Sequence, residues 1–172
     1  MSFVAPTKEL HRDRIDGFLE RLDGIPGLDY EVEGIVDRIN SLKTKFRKAL
    51  EETLSEHGLT WPEWKVLGSL VLGEGDCDSP GELAKGLEIS SGAMTNRLDR
   101  LEQDGYIRRA PDPDDRRGVK IELTEAGHRA WTESTSAQAR KEALVASALT
   151  KNEQVQLNKL LRKLMLEFEK TD

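Results

Sequence analysis

The chain has 172 residues and a formal net charge of −6, and 37% of its residues are hydrophobic while 34% are charged. This length suffices for one domain with a proper core, and an aromatic content of only 5% argues against a large β-sandwich. No apolar run is long enough to span a bilayer, no signal peptide is recognisable, and the single cysteine excludes an internal disulfide, so we expect a cytoplasmic protein.

Two amphipathic helices are predicted before the middle of the chain. The first lies within residues 7–22 and is followed by glycine and proline helix breakers. The second covers residues 31–57, where apolar side chains recur at helical spacing. These side chains are Ile35, Ile39, Leu42, Phe46, Leu50 and Leu54. Gly58 then suits the position just beyond the end of a helix.

Three further helices follow, and residues that favour the start of a helix precede each of them. Thr60 with Glu63 and Ser79 with Glu82 have the spacing of capping boxes. The core face of the helix after Thr60 is predicted to contain Trp64, Leu67, Leu70 and Val71. A short helix over residues 82–87 and a tight turn lead to the next helix, which begins at Ser90 or Ser91. Two helices joined in this way predict a helix-turn-helix.

Residues 106–123 predict a β-hairpin. Tyr106–Ala110 and Val119–Leu123 have the apolar and polar alternation of strands, and the seven residues Pro111–Arg117 join them. Thr124 is predicted to cap a long helix that runs to about residue 148. Thr150 with Glu153 begins a last helix with a strong apolar stripe, formed by Leu157, Leu160, Leu161, Leu164, Met165 and Phe168.

The predicted fold class is mainly α with a small β-hairpin (α+β). A winged helix-turn-helix over residues 58–123 is flanked by N-terminal helices (residues 1–57) and C-terminal helices (residues 124–172). The apolar stripes of these flanking helices need a partner, because the central module can close its own core. They pack on each other within one chain or, as we prefer, form a twofold homodimer that presents two copies of the module to a pseudo-palindromic DNA site.

The helix after Ser90 has the surface expected of a helix that reads DNA. Met94, Leu98 and Leu101 face inward, and the outward side carries small and hydrogen-bonding residues. Asn96 is suited to pair with adenine and Thr95 to contact a thymine methyl or a phosphate. The predicted contact residues of this helix are Ser90, Ser91, Gly92, Thr95, Asn96 and Arg100. An ordinary polar helix surface is the alternative.

The hairpin tip adds charged residues at its end. Arg117 is predicted to enter the DNA minor groove beside Arg116, and Asp115 is predicted to hold an arginine of the tip in an ion pair. Residues 85–120 carry eight basic and seven acidic side chains and form the only net positive part of the chain. The alternatives are a solvated charged loop and, for the whole module, a winged helix used for protein–protein assembly without DNA.

Residues 59–127 resemble the MarR (multiple antibiotic resistance regulator) family of bacterial transcription factors. The similarity is carried by the helix SSGAMTNRLDRLE at residues 90–102 and by Asp115-Arg116-Arg117 followed by LTEAG at residues 123–127. This resemblance implies a homodimer that binds double-stranded DNA, usually represses transcription, and is often released by a small aromatic or anionic ligand.

Within that family, the additional N-terminal helix and the sequence of residues 90–102 are similar to the urate-responsive branch. That branch has a tryptophan in its N-terminal region, whereas the tryptophans here are Trp61, Trp64 and Trp131. It also has an aspartate where this chain has Lys65. Both departures argue against urate, and a lysine at this position favours another anion as ligand.

Arg97 is the second predicted ligand-binding residue. It lies about 70° from the apolar centre of its helix, which places it at the edge of the core rather than in the groove. It binds a ligand or couples a pocket to the DNA-reading helix in one interpretation, and forms an ion pair with an acidic neighbour in the other.

Other chemistries find little support. The acids that flank Cys77 disfavour a thiolate and therefore a redox role. His11, His57 and His128 are too far apart in sequence for a metal motif, so no metal is expected. The sequence offers no nucleophile arrangement and no glycine-rich phosphate loop, so we expect neither an enzyme nor a cofactor.

Overall fold

The computed structural model describes residues 12–22, 24–73, 77–112 and 118–170. Its helices are α1 (Arg14–Leu19), α2 (Tyr30–Glu56), α3 (Trp61–Leu72), α4 (Pro80–Gly86), α5 (Ser91–Gln103), α6 (Glu125–Ala146) and α7 (Lys151–Phe168). The strands are β1 (Cys77–Asp78), β2 (Ile107–Pro111) and β3 (Val119–Leu123), and a 3₁₀ turn (Glu20–Leu22) follows α1. The predicted fold class, mainly helical with a winged helix-turn-helix, is confirmed.

The chain forms two compact units that divide after residue 48, within α2. In the N-terminal unit, α1 begins at Asp13, whose carboxylate accepts a hydrogen bond from the N–H of Ile15 (2.8 Å). Arg38 of α2 donates from Nε to Asp13 Oδ2 (3.0 Å), and this hydrogen bond lowers the pKa of the Asp13 carboxyl. Ile15, in the first turn of α1, is buried. The cap and the ion pair therefore fix α1 against the first half of α2.

Three helices of the C-terminal unit begin at the capping boxes that the sequence predicts. In each, the glutamate at the third helical position accepts a hydrogen bond from the backbone N–H of the N-cap residue. The pairs are Thr60–Glu63 (2.7 Å), Ser79–Glu82 (3.0 Å) and Thr150–Glu153 (2.7 Å). These bonds satisfy donors that the helix itself leaves unpaired. Local sequence therefore fixes where α3, α4 and α7 begin.

A left-handed glycine follows both α2 and α5. Gly58 and Gly105 have φ angles of +69° and +76°, a conformation that glycine adopts without steric cost. After Gly105, the N–H of Tyr106 donates to the carbonyl oxygen of Leu101 (2.9 Å), which is the bond of a Schellman motif. The same pattern follows Gly58. Both helix ends thus lie where the sequence predicts them.

The sheet has three antiparallel strands in the order β1-β3-β2, whereas the sequence predicts only the hairpin β2–β3. The additional strand β1 pairs with Glu122 and Ile121 of β3. A strand of two residues is too short to show an alternating pattern, so β1 is recognised only by its pairing with β3. The hairpin also begins one residue later than predicted, at Ile107, because the N–H of Tyr106 is engaged at the end of α5.

Helix α3 lies at the centre of the C-terminal unit, where it packs against α5, α6 and β3. Leu67 and Leu70 are fully buried as predicted, but Val66 is also fully buried, whereas Val71 is only half-buried. The prediction assumed that α3 is buried on one face only. Its contacts with α5, α6 and β3 bury a wider arc of the helix. The other large core side chains are Leu54, Leu59, Leu83, Met94, Leu98, Leu101, Ile107 and Ile121.

Candidate nucleic-acid interface

Helix α5 is held in place by its cap and its apolar face. Ser90 is the N-cap, and its hydroxyl oxygen accepts a hydrogen bond from the N–H of Ala93 (3.3 Å). Met94, Leu98 and Leu101 are buried, as the sequence predicts. Because these three residues fix the rotation of the helix, they also determine which side chains face solvent.

The outward side of α5 brings together the contact residues predicted for this helix. Ser90, Ser91, Gly92, Thr95, Asn96 and Arg100 are all exposed. The Thr95 hydroxyl donates to the carbonyl oxygen of Ser91 (3.0 Å), which fixes its rotamer. A Cβ placed on Gly92 would have no atom within 4 Å, so the first turn is open to a close approach. The unpaired N–H groups of this turn are suited to bind an anion such as phosphate.

Arg100 has a second role that the sequence did not reveal. Its Nε lies 3.0 Å from Oε1 of Glu63, a side chain of α3 that is almost completely buried. The other carboxylate oxygen of Glu63 accepts from the N–H of Thr60 (2.7 Å). A buried carboxylate is costly unless it is paired, so Arg100 stabilises the contact between α3 and α5. The capping box predicted the position of Glu63 in the helix, but the sequence pattern did not predict that its side chain is buried.

The base of the wing is well defined, and its tip lies outside the described residues. The N–H of Asp112 donates to the carbonyl oxygen of Gly118 (3.1 Å), and the Lys120 ammonium lies 3.8 Å from the Asp112 carboxylate. The predicted tip residues Asp115, Arg116 and Arg117 belong to the segment 113–117, which the structure does not describe. Their roles remain predictions.

Two neighbouring arginines of β2 have different partners, and neither arginine was among the residues predicted to form the site. Arg108 pairs with Glu122 of β3, within the hairpin. Arg109 pairs with Asp99 and Glu102 of α5. The three-residue spacing of the two acids places them on one side of a helix, which is the signal that the sequence offered. Only the tertiary structure shows which cation they meet.

A cavity of about 420 Å³ opens beside α3 and α6. Its lining residues are Trp64, Lys65, Gly68, Ser69, Leu72, Gly73, Leu87 and Trp131. The predicted ligand residue Lys65 is therefore at a cavity, and its Nζ lies 5.9 Å from the centre of the Trp61 ring. The indole Nε1 of Trp131 is buried and has no hydrogen-bond partner among the described residues. The site thus offers aromatic walls and a cation.

Arg97, the other predicted ligand residue, does not line this cavity. Its Nη1 is buried without a hydrogen-bond partner in the described part of the chain. No ion pair joins Arg97 to an acid among those residues, so the salt-bridge interpretation finds no support. Lys65 and Arg97 are accordingly not brought together in one described pocket.

Two further sequence expectations concern metals and membranes. The described residues contain no group of His, Cys, Asp or Glu side chains that is arranged to hold a metal ion. Within the same residues, no helix is both long and apolar enough to cross a bilayer. The side chain of Cys77 lies outside the described part of the structure, so the expectation that Cys77 has no redox role stays a prediction.

The helix-turn-helix, the exposed face of α5 and the adjoining hairpin define a winged helix-turn-helix protein that binds DNA. A sequence model described as the MarR family matches residues 57–118. The HTH-type transcriptional regulator PecS of Dickeya dadantii is 31% identical over 137 residues, which span 79% of this chain and 82% of PecS. The chain belongs to the MarR family and is a transcriptional regulator rather than an enzyme.

Solved structures show the same fold. The YusO protein from Bacillus subtilis superposes with a TM-score of 0.72 at 27% identity, covering 81% of this chain and 98% of YusO. A mutant MarR from Escherichia coli in complex with operator DNA gives a TM-score of 0.61 at 32% identity, covering 78% of this chain and 95% of that protein. In that complex, the shared fold is seen on operator DNA.

Proposed function

We propose that this regulator is a cytoplasmic homodimer that binds a pseudo-palindromic operator sequence-specifically and represses transcription until a small anionic or aromatic molecule releases it. The observation that carries the proposal is the exposed, polar first half of α5 beside the β2–β3 hairpin. The MarR–operator complex supports a similar use of this surface here. Repression and release by a ligand rest on the tendency of the family.

In the proposed complex, α5 lies in the major groove. Asn96 reads an adenine through its side-chain amide, and Thr95 contacts a thymine methyl or a phosphate. Ser90 and Ser91 hold a phosphate at the positive end of the helix, where unpaired N–H groups point outward. Gly92 allows the DNA backbone to come close. Arg100, although paired with Glu63, is more than half exposed and has guanidinium N–H groups for a phosphate.

The wing completes the contact in this proposal. Arg117 inserts into the adjacent minor groove, Arg116 binds the phosphate backbone beside it, and Asp115 orients one of the two through an ion pair. The described base of the hairpin supports this arrangement, since Asp112 and Gly118 close it directly below the tip.

Apolar surfaces on α2 and α7 support the dimer. The described chain buries no residue of α7. The exposed apolar residues are Ile35, Val36, Ile39, Leu42 and Phe46 on α2 and Leu157, Leu160, Leu161, Leu164 and Phe168 on α7. A run of exposed apolar residues along one helix marks an interaction site. A twofold pair would cover it and present two copies of α5 to the two half-sites of an operator.

The cavity at Lys65 is the proposed ligand site. Lys65 would attract the anionic group of a ligand, and the side chains of Trp64 and Trp131 would provide an apolar wall for an aromatic ring. Leu87, at the end of α4, also lines the cavity. A ligand there would therefore contact the helix-turn-helix turn and shift α5, which explains how binding could release DNA. Arg97 extends from α5 at the core edge and is proposed to sense the same shift.

A fluorescence anisotropy titration with the intergenic DNA upstream of its own gene tests the proposal. We expect Asn96→Ala to lose discrimination at one base pair in each half-site, because a base-reading amide is removed. Arg117→Ala should weaken binding and flatten its dependence on salt, because one fewer cation meets the DNA. Asn152→Ala and Arg129→Ala, which alter exposed positions on α7 and α6, are the matched controls.

The alternative, a winged helix used for protein–protein assembly, gives a different result. Asn96 and Arg117 would then be dispensable, and both variants would match their controls. Uniform weakening of Asn96→Ala across all DNA sequences would contradict base reading, and an unchanged salt slope in Arg117→Ala would contradict the wing assignment.

A further inference from the structure

The guanidinium of Arg109 connects the base of the wing to α5 through several bonds. It donates from Nη2 to Asp99 Oδ1 (2.6 Å) and from Nη1 to Oε2 of Glu102. The backbone N–H of Arg109 donates to the other oxygen of Glu102 (3.0 Å). We infer that Arg109 is a positioning residue that fixes the angle between the hairpin and α5, an inference that rests on the proposed function of these two surfaces.

The bonding of Arg109 is stronger than that of an ordinary surface ion pair. One planar guanidinium meets two carboxylates one turn apart, and charge-assisted bonds in such an arrangement are stronger than single exposed pairs. The side chain of Arg109 is 30% exposed, so solvent screens it only in part. Burial lowers the pKa of the guanidinium, but the hydrogen bonds that it donates to Asp99 and Glu102 outweigh burial and raise the pKa.

The neighbouring Arg108 provides a natural comparison. It pairs with Glu122 of β3, and its side chain is 72% exposed. That pair lies entirely within the hairpin, so it does not restrain the hairpin against α5. The two consecutive arginines therefore make different connections. Arg108 joins the two strands of the hairpin, and Arg109 joins β2 to α5.

The geometry of the wing makes the angle at its base important. Four steps of about 3.3 Å each separate Ile107 from Pro111, so β2 spans roughly 13 Å. A rotation of about 10° at Ile107 would move Pro111 by about 2 Å, which exceeds the tolerance of a hydrogen bond. The proposed minor-groove contact of Arg117 and the major-groove contact of Asn96 are made together only if this angle is held. Preorganisation of this kind supports affinity without any contact to DNA.

A double-mutant cycle separates positioning from charge. Arg109→Lys keeps a cation beside Asp99 and Glu102 but loses the second N–H branch, and Arg108→Lys is the matched control on the neighbouring residue. We expect Arg109→Lys to weaken operator binding about tenfold and Arg108→Lys less than about twofold. Arg117→Ala should lower affinity markedly in the wild-type background and by less than about twofold in the Arg109→Lys background, because a misdirected wing has already lost its contact.

Hydrogen exchange of the DNA-free protein gives an independent readout. Amides of β2 and β3 should exchange faster in Arg109→Lys than in Arg108→Lys, while thermal unfolding of the whole protein stays similar. Equal losses from Arg117→Ala in both backgrounds, or no difference in exchange, would overturn the inference and leave the proposed function standing. If wild-type protein failed to bind the operator, the proposed function and this inference would fall together.

Discussion

Three helical glycines of the C-terminal unit show how one residue type serves different purposes. A Cβ on Gly127 would lie 2.1 Å from the carbonyl oxygen of Tyr106, and one on Gly68 would lie 2.8 Å from Nε1 of Trp131. The backbone of Tyr106 therefore excludes a side chain at Gly127, and a side chain at Gly68 would require the Trp131 ring to move. Gly92 is different, because a Cβ there would meet nothing within 4 Å. Packing within the described fold does not require this glycine, which is compatible with the proposed close approach of DNA at this turn.

Gly92→Ala tests that close approach directly. Alanine is the better helix former, so the free energy of unfolding should rise by about 0.5–1 kcal/mol in urea denaturation. Affinity for operator DNA should nevertheless fall, because the added methyl meets the DNA backbone. Gly17→Ala in α1, where a Cβ also has open space, is the control and should change stability without changing DNA affinity. A Gly92→Ala protein that binds DNA as well as the wild type would contradict close approach at this position.

Lys65→Gln tests the ligand cavity. Benzoate and benzamide have the same ring, but only benzoate is an anion, so Lys65 should favour benzoate selectively. We expect benzoate to bind wild-type protein, as read from tryptophan fluorescence, and Lys65→Gln to weaken it about tenfold, the size of one lost charge-assisted bond. Benzamide binding should be unaffected, and Lys163→Gln on α7 should behave as the wild type. Equal effects on both compounds would remove Lys65 from the anion site.

At the level of elements, the turn between α4 and α5 carries a steric cost. Glu88 has a φ of +54°, in the left-handed region that non-glycine residues rarely adopt. The N–H of Ile89 donates to the carbonyl oxygen of Ala84 (3.0 Å), so this turn is a Schellman motif with glutamate in the position that glycine usually occupies. The turn joins α4 to α5, and these two helices pack against each other. Their packing therefore maintains the left-handed conformation of Glu88.

Replacement of Glu88 by glycine should relieve this cost. Glu88→Gly is expected to raise the free energy of unfolding by about 1 kcal/mol, measured by urea denaturation at fixed protein concentration. Glu88→Ala is the control, since it removes the same carboxylate but keeps a Cβ and the left-handed strain. If alanine and glycine gave the same gain, the loss of the charge rather than the backbone would be the cause.

In the molecule as a whole, the net positive segment and the exposed apolar face of α7 lie in different parts of the chain. The chain has a net charge of −6, yet residues 85–120 have a small positive excess, so most of the protein repels DNA and one segment attracts it. This distribution predicts weak non-specific binding and strong sensitivity to salt. The exposed apolar face of α7 lies elsewhere in the chain, so the proposed dimer would leave α5 and the hairpin free.

Leu160→Glu tests the proposed association. A carboxylate in the middle of the apolar face of α7 would be desolvated in a dimer, so the dimer dissociation constant should rise by at least about a hundredfold in sedimentation velocity. Lys159→Glu introduces the same side chain on the polar side of α7, about 100° around the helix from Leu160, and should leave the dimer intact. Operator affinity should fall only in Leu160→Glu. A chain that is monomeric before any substitution would contradict the dimer.

The amino-acid sequence by itself determined what depends on residues within a few positions of one another. The capping boxes at Thr60, Ser79 and Thr150 and the glycine at residue 58 set helix limits through local hydrogen bonds. Periodicity also identified the buried and exposed sides of α5.

The tertiary structure decided everything that depends on residues far apart in the chain. It determined that β1 pairs with β3, that Val66 is buried on a second side of α3, and that Glu63 forms an ion pair with Arg100. It also separated the partners of two adjacent arginines and left Arg97 outside the cavity of Lys65. A local pattern specifies where a side chain points along its own element, but its partner depends on how distant elements pack, and no short-range periodicity encodes that packing.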